Sequence, residues 1–185
     1  MPKNELKQMR EKMERTLTFL NGEYLVIRTG RAHPGLVSDI KADYYGTPTP
    51  LKQMANVSAP EPRTIMIAPF DRSSLKAIEK AILASNLGIT PQNDGETVRL
   101  TMPELTGERR VELTRLLSKK AEEARVTIRN HRRDSIEVLK KMEKDSVISE
   151  DDLKKYSKDV QDITDEFTRK VDEAYKLKEK EVMED

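Results

Sequence analysis

The chain has no cysteine and no tryptophan among its 185 residues. The first absence excludes disulfide staples, thiolate metal sites and a cysteine nucleophile. The second, with aromatic residues at only 4%, leaves little material for a wide aromatic core. The two histidines, His33 and His131, are too few for an imidazole metal cluster, and neither has an H-E-x-x-H neighbourhood. No apolar run is long enough to cross a bilayer. The opening stretch MPKNELKQMREKMERTL carries several acids and resembles neither a secretory signal nor a transit peptide. These absences lead to the expectation of a soluble, intracellular protein with no membrane contact and no metal; it is further expected to be cytoplasmic and monomeric and to carry no cofactor.

Apolar residues and charged residues each make up 36% of the chain. That mixture is poor for a round globule and suits long helices with one narrow buried stripe. Leu6, Met9, Met13, Leu17, Leu20, Tyr24 and Ile27 recur at steps of three and four, which predicts an amphipathic helix ending before Gly30. A second helix is expected from Thr106, with Leu113, Leu117, Ala124 and Ile128 in line and continuing to Val138 and Met142. A third follows Ser149, where SEDD reads as a capping box, and carries Leu153, Tyr156, Val160, Ile163, Phe167, Val171 and Ala174. Three long stripes can be buried only against one another, so a three-helix bundle is expected.

Residues 30–105 differ in composition, holding eight of the nine prolines and five of the seven glycines. LVSDIKADYYG and RTIMIAPFD read as strand runs bounded by turn residues. DRSSLKAIEKAILASNLG reads as a helix capped by Asp71 with Gly88 past its end. NDG ahead of ETVRLTM gives a hairpin signal. The fold class expected is therefore α+β: a bundle formed by 1–29 and 106–185, with a small β-rich α/β domain, 30–105, inserted between its first two helices. An inserted domain has two connections to its host, here 28–32 and 103–107. Thr29, Gly30, Leu105, Thr106 and Gly107 are the candidate hinge residues, the two glycines supplying backbone freedom.

The formal net charge of +1 conceals a strong asymmetry. Residues 109–133 hold nine basic and three acidic side chains, whereas 134–185 hold 11 basic and 17 acidic. At about 100° per residue, Arg110, Arg115, Arg125, Arg129, Arg132 and Arg133 fall between about 60° and 200° from the Leu113 stripe, with Glu122 the only acid in that sector before Glu143. Two readings stand side by side. The face is either solvated and salt-bridged to neighbouring helices, or it binds a polyanion through paired guanidinium–phosphate bonds. The arginines lack regular acid partners at i±4, which weakens the first reading.

The other candidate sites have simpler explanations. SEDD suits helix capping better than cation binding, DRSS has no neighbouring base, and RTGRA lacks phosphate-loop spacing. In YYGTPTPL, tyrosines available for base stacking and a strand followed by a proline-fixed turn account for the residues equally well. His131 projects near the buried stripe and reads as a bundle-edge histidine. No enzyme signature is present, so no catalytic residue is assigned. A coiled-coil adaptor that binds proteins through its acidic third helix is the alternative to polyanion binding.

The order of short motifs resembles one family along nearly the whole chain, the bacterial-type ribosome recycling factors. RTGRA (28–32), YYGTPTPL (44–51), EKAI with ASNLG (79–88), ERR (108–110), ARV with RN and RRD (124–134), ISEDD (148–152) and ITDEF (163–167) carry it. The resemblance implies an L-shaped, non-catalytic protein of transfer-RNA size. It binds the large ribosomal subunit and works with elongation factor G, whose own GTP hydrolysis drives disassembly of the post-termination ribosome. Subunits then separate, and messenger RNA and deacylated transfer RNA are released. It further implies ribosomal-RNA contacts at Arg28, Arg31, Arg110, Arg129 and Arg132; Arg125 and Arg133 join them from the helical projection. The chain departs from the family pattern at Gly107, where many members have an acid, and at His131, usually an aliphatic position.

Overall fold

The structure, a computed structural model, describes residues 1–184. The chain divides into two compact units, one of Met1–Arg28 with Thr106–Glu184 and one of Thr29–Leu105. Helix α1 (Pro2–Val26) is followed by strands β1 (Lys41–Tyr44) and β2 (Thr47–Pro50), the single turn α2 (Leu51–Met54), and strands β3 (Ala55–Glu61) and β4 (Thr64–Pro69). Helix α3 (Leu75–Ala84) and strands β5 (Gln92–Asn93) and β6 (Val98–Thr101) complete the second unit, and α4 (Gly107–Lys144) and α5 (Glu150–Met183) return the chain to the first.

In the first unit α1, α4 and α5 pack pairwise into a three-helix bundle. Met9, Met13, Leu17, Leu20 and Tyr24 form the buried face of α1. They meet Leu113, Leu117, Ala121, Ala124, Ile128 and Leu139 of α4, and Val160, Phe167, Val171 and Val182 of α5. The Tyr24 hydroxyl donates to the Leu117 carbonyl at 2.8 Å, and burial pushes its pKa up to about 12. Val138, expected in the stripe, is instead 37% exposed. It lies about 80° around the helix from Ile128, whereas Ser135 and Leu139 continue the stripe. Ser135 is tolerated there because its hydroxyl donates to Glu5 at 2.8 Å.

Local chemistry fixes the helix ends. The Thr106 side chain accepts from the Arg109 amide, and Ser149 and Asp152 form a reciprocal capping box. Between α4 and α5, Ser146 adopts φ +56°. Its amide donates to Glu143 O and that of Val147 to Met142 O, a Schellman closure that satisfies the last carbonyls of α4.

The second unit has its own core, with α3 presenting Leu75, Ile78 and Ile82 to a layer that includes Ile65, Ile67, Val98 and Leu100. Its larger sheet is antiparallel in the order β3-β4-β6-β5. The NDG signal marks the β5–β6 hairpin, where the Asp94 carboxylate accepts from the Glu96 and Thr97 amides and Gly95 holds φ +88°. Asp71 caps a 3-10 turn, Arg72–Ser74, ahead of α3 instead of capping α3 itself. YYGTPTPL corrects the expectation of a strand followed by a proline turn. It forms a two-stranded hairpin, β1–β2, turning at Tyr45 (φ +50°) and Gly46 (φ +82°). Pro48 and Pro50 lie inside β2, two residues apart. Their donorless nitrogens therefore face the same open edge, where no ladder bond is lost.

One ion pair links the first and last bundle helices. Arg10 donates from both Nη atoms to the Glu166 carboxylate at 3.0 and 2.9 Å, and Lys170 lies 3.0 Å away. Hydrogen bonds from Arg10 first, then Lys170, pull the Glu166 carboxyl from its ordinary 4.5 down to about 2. A depressed carboxyl pKa stabilises the fold above its unfolded value, and that contribution is lost as pH falls through the folded value. Thermal melts should therefore lose stability as pH falls from about 4.5 towards 2 in the parent chain. The Arg10→Ala variant should start lower and show a flatter acid limb; parallel curves would remove this pair from the acid response.

Candidate nucleic-acid interface

Helix α4 buries one side of its cylinder in the bundle and carries the arginines on another. The structure places four of these arginines, Arg125, Arg129, Arg132 and Arg133, in four different electrostatic situations. Arg125 is the most committed. Its Nε and Nη2 both donate to Asp172 Oδ1 of α5, at 2.9 and 2.6 Å, and Nη1 donates to Glu122 at 3.3 Å. With only 24% of its side chain exposed, it ties α4 to α5. Arg129 is exposed but bonded, Nη2 donating to Glu122 Oε1 at 2.7 Å. These two arginines, Arg129 foremost, hold the Glu122 carboxyl below its usual range.

Arg132 is held differently. Its Nη1 donates to Gln161 Oε1 at 3.2 Å, and the Gln161 amide is oriented by donating to Asp165 at 2.8 Å. A neutral oxygen thus aims the guanidinium without cancelling its charge. Arg133 is exposed and has no bonded partner among the described residues. Arg125, Arg129, Arg132 and Arg133 lie within about 100° of one another around the helix.

The remaining candidates lie apart from this strip. Arg110 is fifteen residues, or about 22 Å, earlier on α4 than Arg125. Its Nη1 donates to the Val182 and Met183 carbonyls at 3.2 and 2.9 Å, closing the C-terminal end of α5. Arg28 is exposed at the end of the bundle unit's first segment, and Arg31 is exposed in the second unit. The unit boundaries fall between Arg28 and Thr29 and between Leu105 and Thr106. Thr29 is buried, and Gly30 holds φ +79°, with Leu105 Cγ 3.3 Å from where a Cβ would stand. Gly107, by contrast, is the first residue of α4, needs no left-handed backbone and has open space around it.

The i±4 criterion missed the partners of this face because they stand elsewhere. Glu122 precedes Arg125 by three residues and Arg129 by seven, while Asp172 and Gln161 belong to α5. His131 is half-buried at the bundle edge, Nε2 lying 3.4 Å from Thr16 Oγ1, with burial lowering its pKa. His33 serves locally, its Nδ1 accepting from the Gly35 amide at 3.1 Å. Among the described residues, no group of three or more His, Asp or Glu is placed to hold a metal, and no helix is long and apolar enough to cross a membrane.

Fold and site define a class: three long helices packed into a bundle, a β-rich unit inserted in the chain between the first and second of them, and an arginine strip along the longest helix. Residues 20–183 match the family "Ribosome recycling factor", and the chain belongs to this family of translation factors. The ribosome-recycling factor of Pelobacter propionicus is 52% identical over 184 residues, covering 100% of both chains. The chloroplastic factor of Daucus carota is 48% identical over 177 residues, covering 96% of this chain and 78% of its own. Among solved structures, the solution structure of the ribosome recycling factor superposes with a TM-score of 0.77 at 38% identity, covering 100% of this chain and 98% of that one. A second matches at a TM-score of 0.67 and 43% identity, covering 99% of each chain. It shows the T. thermophilus ribosome recycling factor and E. coli elongation factor G bound to the E. coli post-termination complex.

The committed and uncommitted arginines should separate in stability. Arg125→Ala should cost about 1–2 kcal/mol in denaturant unfolding, while Arg133→Ala should stay within about 0.5 kcal/mol of the parent. Equal effects would show that the Asp172 tie does not hold in solution.

Proposed function

We propose that this chain recycles ribosomes. With elongation factor G it takes apart the post-termination complex, separating the subunits and freeing messenger RNA and deacylated transfer RNA. It carries no catalytic group for this; GTP hydrolysis belongs to the partner. The family match along the chain and the relative seen with elongation factor G on a post-termination complex support the reading.

The observation that carries the chemistry is the Arg132–Gln161 contact. An arginine fixed by a neutral amide keeps its full charge and a set direction, which suits bidentate capture of a phosphate in large-subunit ribosomal RNA. Arg129 and Arg133 flank it as direct contacts. Arg125 acts by holding α4 against α5, and Arg110 by closing the end of α5, with Arg28 and Arg31 as further RNA contacts. Co-sedimentation of large subunits with Arg132→Ala across a salt series should show weaker binding and a log–log salt slope shallower by about one. An unchanged affinity and slope would overturn the assignment of this face.

The inserted unit, 30–105, then moves about its two connections while the bundle stays anchored. Thr29, Gly30, Leu105, Thr106 and Gly107 flank those connections, but their backbones differ. Gly30 needs a left-handed conformation against Leu105; Gly107 is already helical. Gly30→Ala should impair subunit splitting more than large-subunit binding, and Gly107→Ala should leave both intact. Light scattering of post-termination ribosomes reads splitting, and equal effects of the two variants would exclude Gly30 as the pivot.

A further inference from the structure

Glu122 is the carboxylate that two arginines of the strip share. Oε1 accepts from Arg129 at 2.7 Å and Oε2 from Arg125 at 3.3 Å. Arg129 lies seven residues further on, a rise of about 10 Å, so its side chain folds back along the helix to make this bond. Arg125 is held more firmly, because Asp172 takes two of its nitrogens. Charges therefore alternate along the seam: Asp172, Arg125, Glu122, Arg129. Arg132 and Arg133 stand outside this chain of pairs.

We propose that Glu122 is an internal stand-in for phosphate, a positioning residue that keeps Arg129 folded back until an RNA phosphate displaces it. The inference rests on the strip being an RNA-binding face. A carboxylate and a phosphate offer the guanidinium the same kind of paired oxygen acceptors, so Arg129 exchanges one partner for another on binding. Its net contribution is only the difference between the two. The exchange leaves no orphaned acid, because Arg125, anchored by Asp172, stays on Glu122. Both exchanging groups are open to solvent, Arg129 at 45% and Glu122 at 54% side-chain exposure, so a phosphate can reach the pair. A glutamate carboxyl is already ionised in neutral solution, and the two arginines lower its pKa further, so the stand-in carries negative charge as a phosphate does. A factor that has to leave its RNA after each cycle gains reversibility from such an arrangement, since an unmasked arginine strip holds any polyanion it meets.

The test uses the full chain and large ribosomal subunits across a salt series. Glu122→Gln should bind on the order of threefold to fivefold more tightly, the worth of one exposed ion pair, with a steeper salt slope. Glu123→Gln removes the same charge from the same turn without touching an arginine, and should leave affinity unchanged. In an Arg129→Ala background, the gain from Glu122→Gln should vanish. Equal tightening by Glu123→Gln would reduce the effect to net charge and overturn the proposal. So would unaltered or weaker binding by Glu122→Gln, or a gain that survives without Arg129. A second readout does not depend on binding: the NMR order parameter of the Arg129 Nε–H should be high in the parent and fall in Glu122→Gln. An Arg129 side chain already disordered in the parent overturns the proposal as well. Arg132→Ala in the same series separates the two readings. If it weakens binding while Glu122→Gln does not tighten it, only the role of Glu122 is lost; if it has no effect, the RNA-binding face falls too.

Discussion

A helix as long as α4 has one cylindrical surface to divide between burial and display, and the architecture of the bundle follows from that division. The narrow stripe from Leu113 to Leu139 must be covered over its whole length, and only helices of comparable reach can do so. Helices α1 and α5 supply that cover, and what they leave bare is the arginine strip. The strip is therefore set by the same packing that stabilises the fold. Its edge lies where α5 ends its contact, which is why Arg125 and Arg132 each bond to an α5 side chain.

Pairing and aiming are separate properties of a surface cation. Arg125 is aimed and neutralised, Arg129 neutralised by a solvent-exposed carboxylate, Arg132 aimed but uncompensated, and Arg133 neither. Composition counts all four as equal positive charges. Their differences arise from which acceptor stands opposite, a carboxylate or an amide, and from whether that acceptor belongs to a packed neighbour. Coulomb attraction to any polyanion would draw on all of them, whereas directed hydrogen bonding would depend on those held in place.

Much of this was legible in the sequence where the governing interactions are local. Periodicity located the buried faces of α1 and α5, and the Ser149–Asp152 capping box could be read directly from its spacing. Composition separated the proline- and glycine-rich middle from the helical ends. The reading failed where a distant partner decides. Ser135 was not read as part of the stripe because the Glu5 carboxylate that satisfies its hydroxyl belongs to α1. The hairpin at Tyr45–Gly46 was hidden because proline in β2 looks like a turn signal until one knows which strand edge is open. Of the acids opposite the arginines, Asp172 could not be assigned from α4 alone, and Glu122, three and seven residues from its partners, escaped a search at i±4. The family motifs singled out Arg129 and Arg132 but carried no information about Gln161 or Glu122.

The tight closure at Ser146 has a consequence far from its own position. Arg132 meets Gln161, Arg125 meets Asp172 and Arg110 meets Val182, so each step back along α4 is matched by a step forward along α5. The two helices behave like the halves of a folded ruler, with the Schellman turn as its zero mark. One residue inserted at the start of α5 would rotate all that follows by about 100° against α4 and put the rungs out of register together. The aim of an arginine near the middle of the bundle is thus fixed by a left-handed serine at its tip.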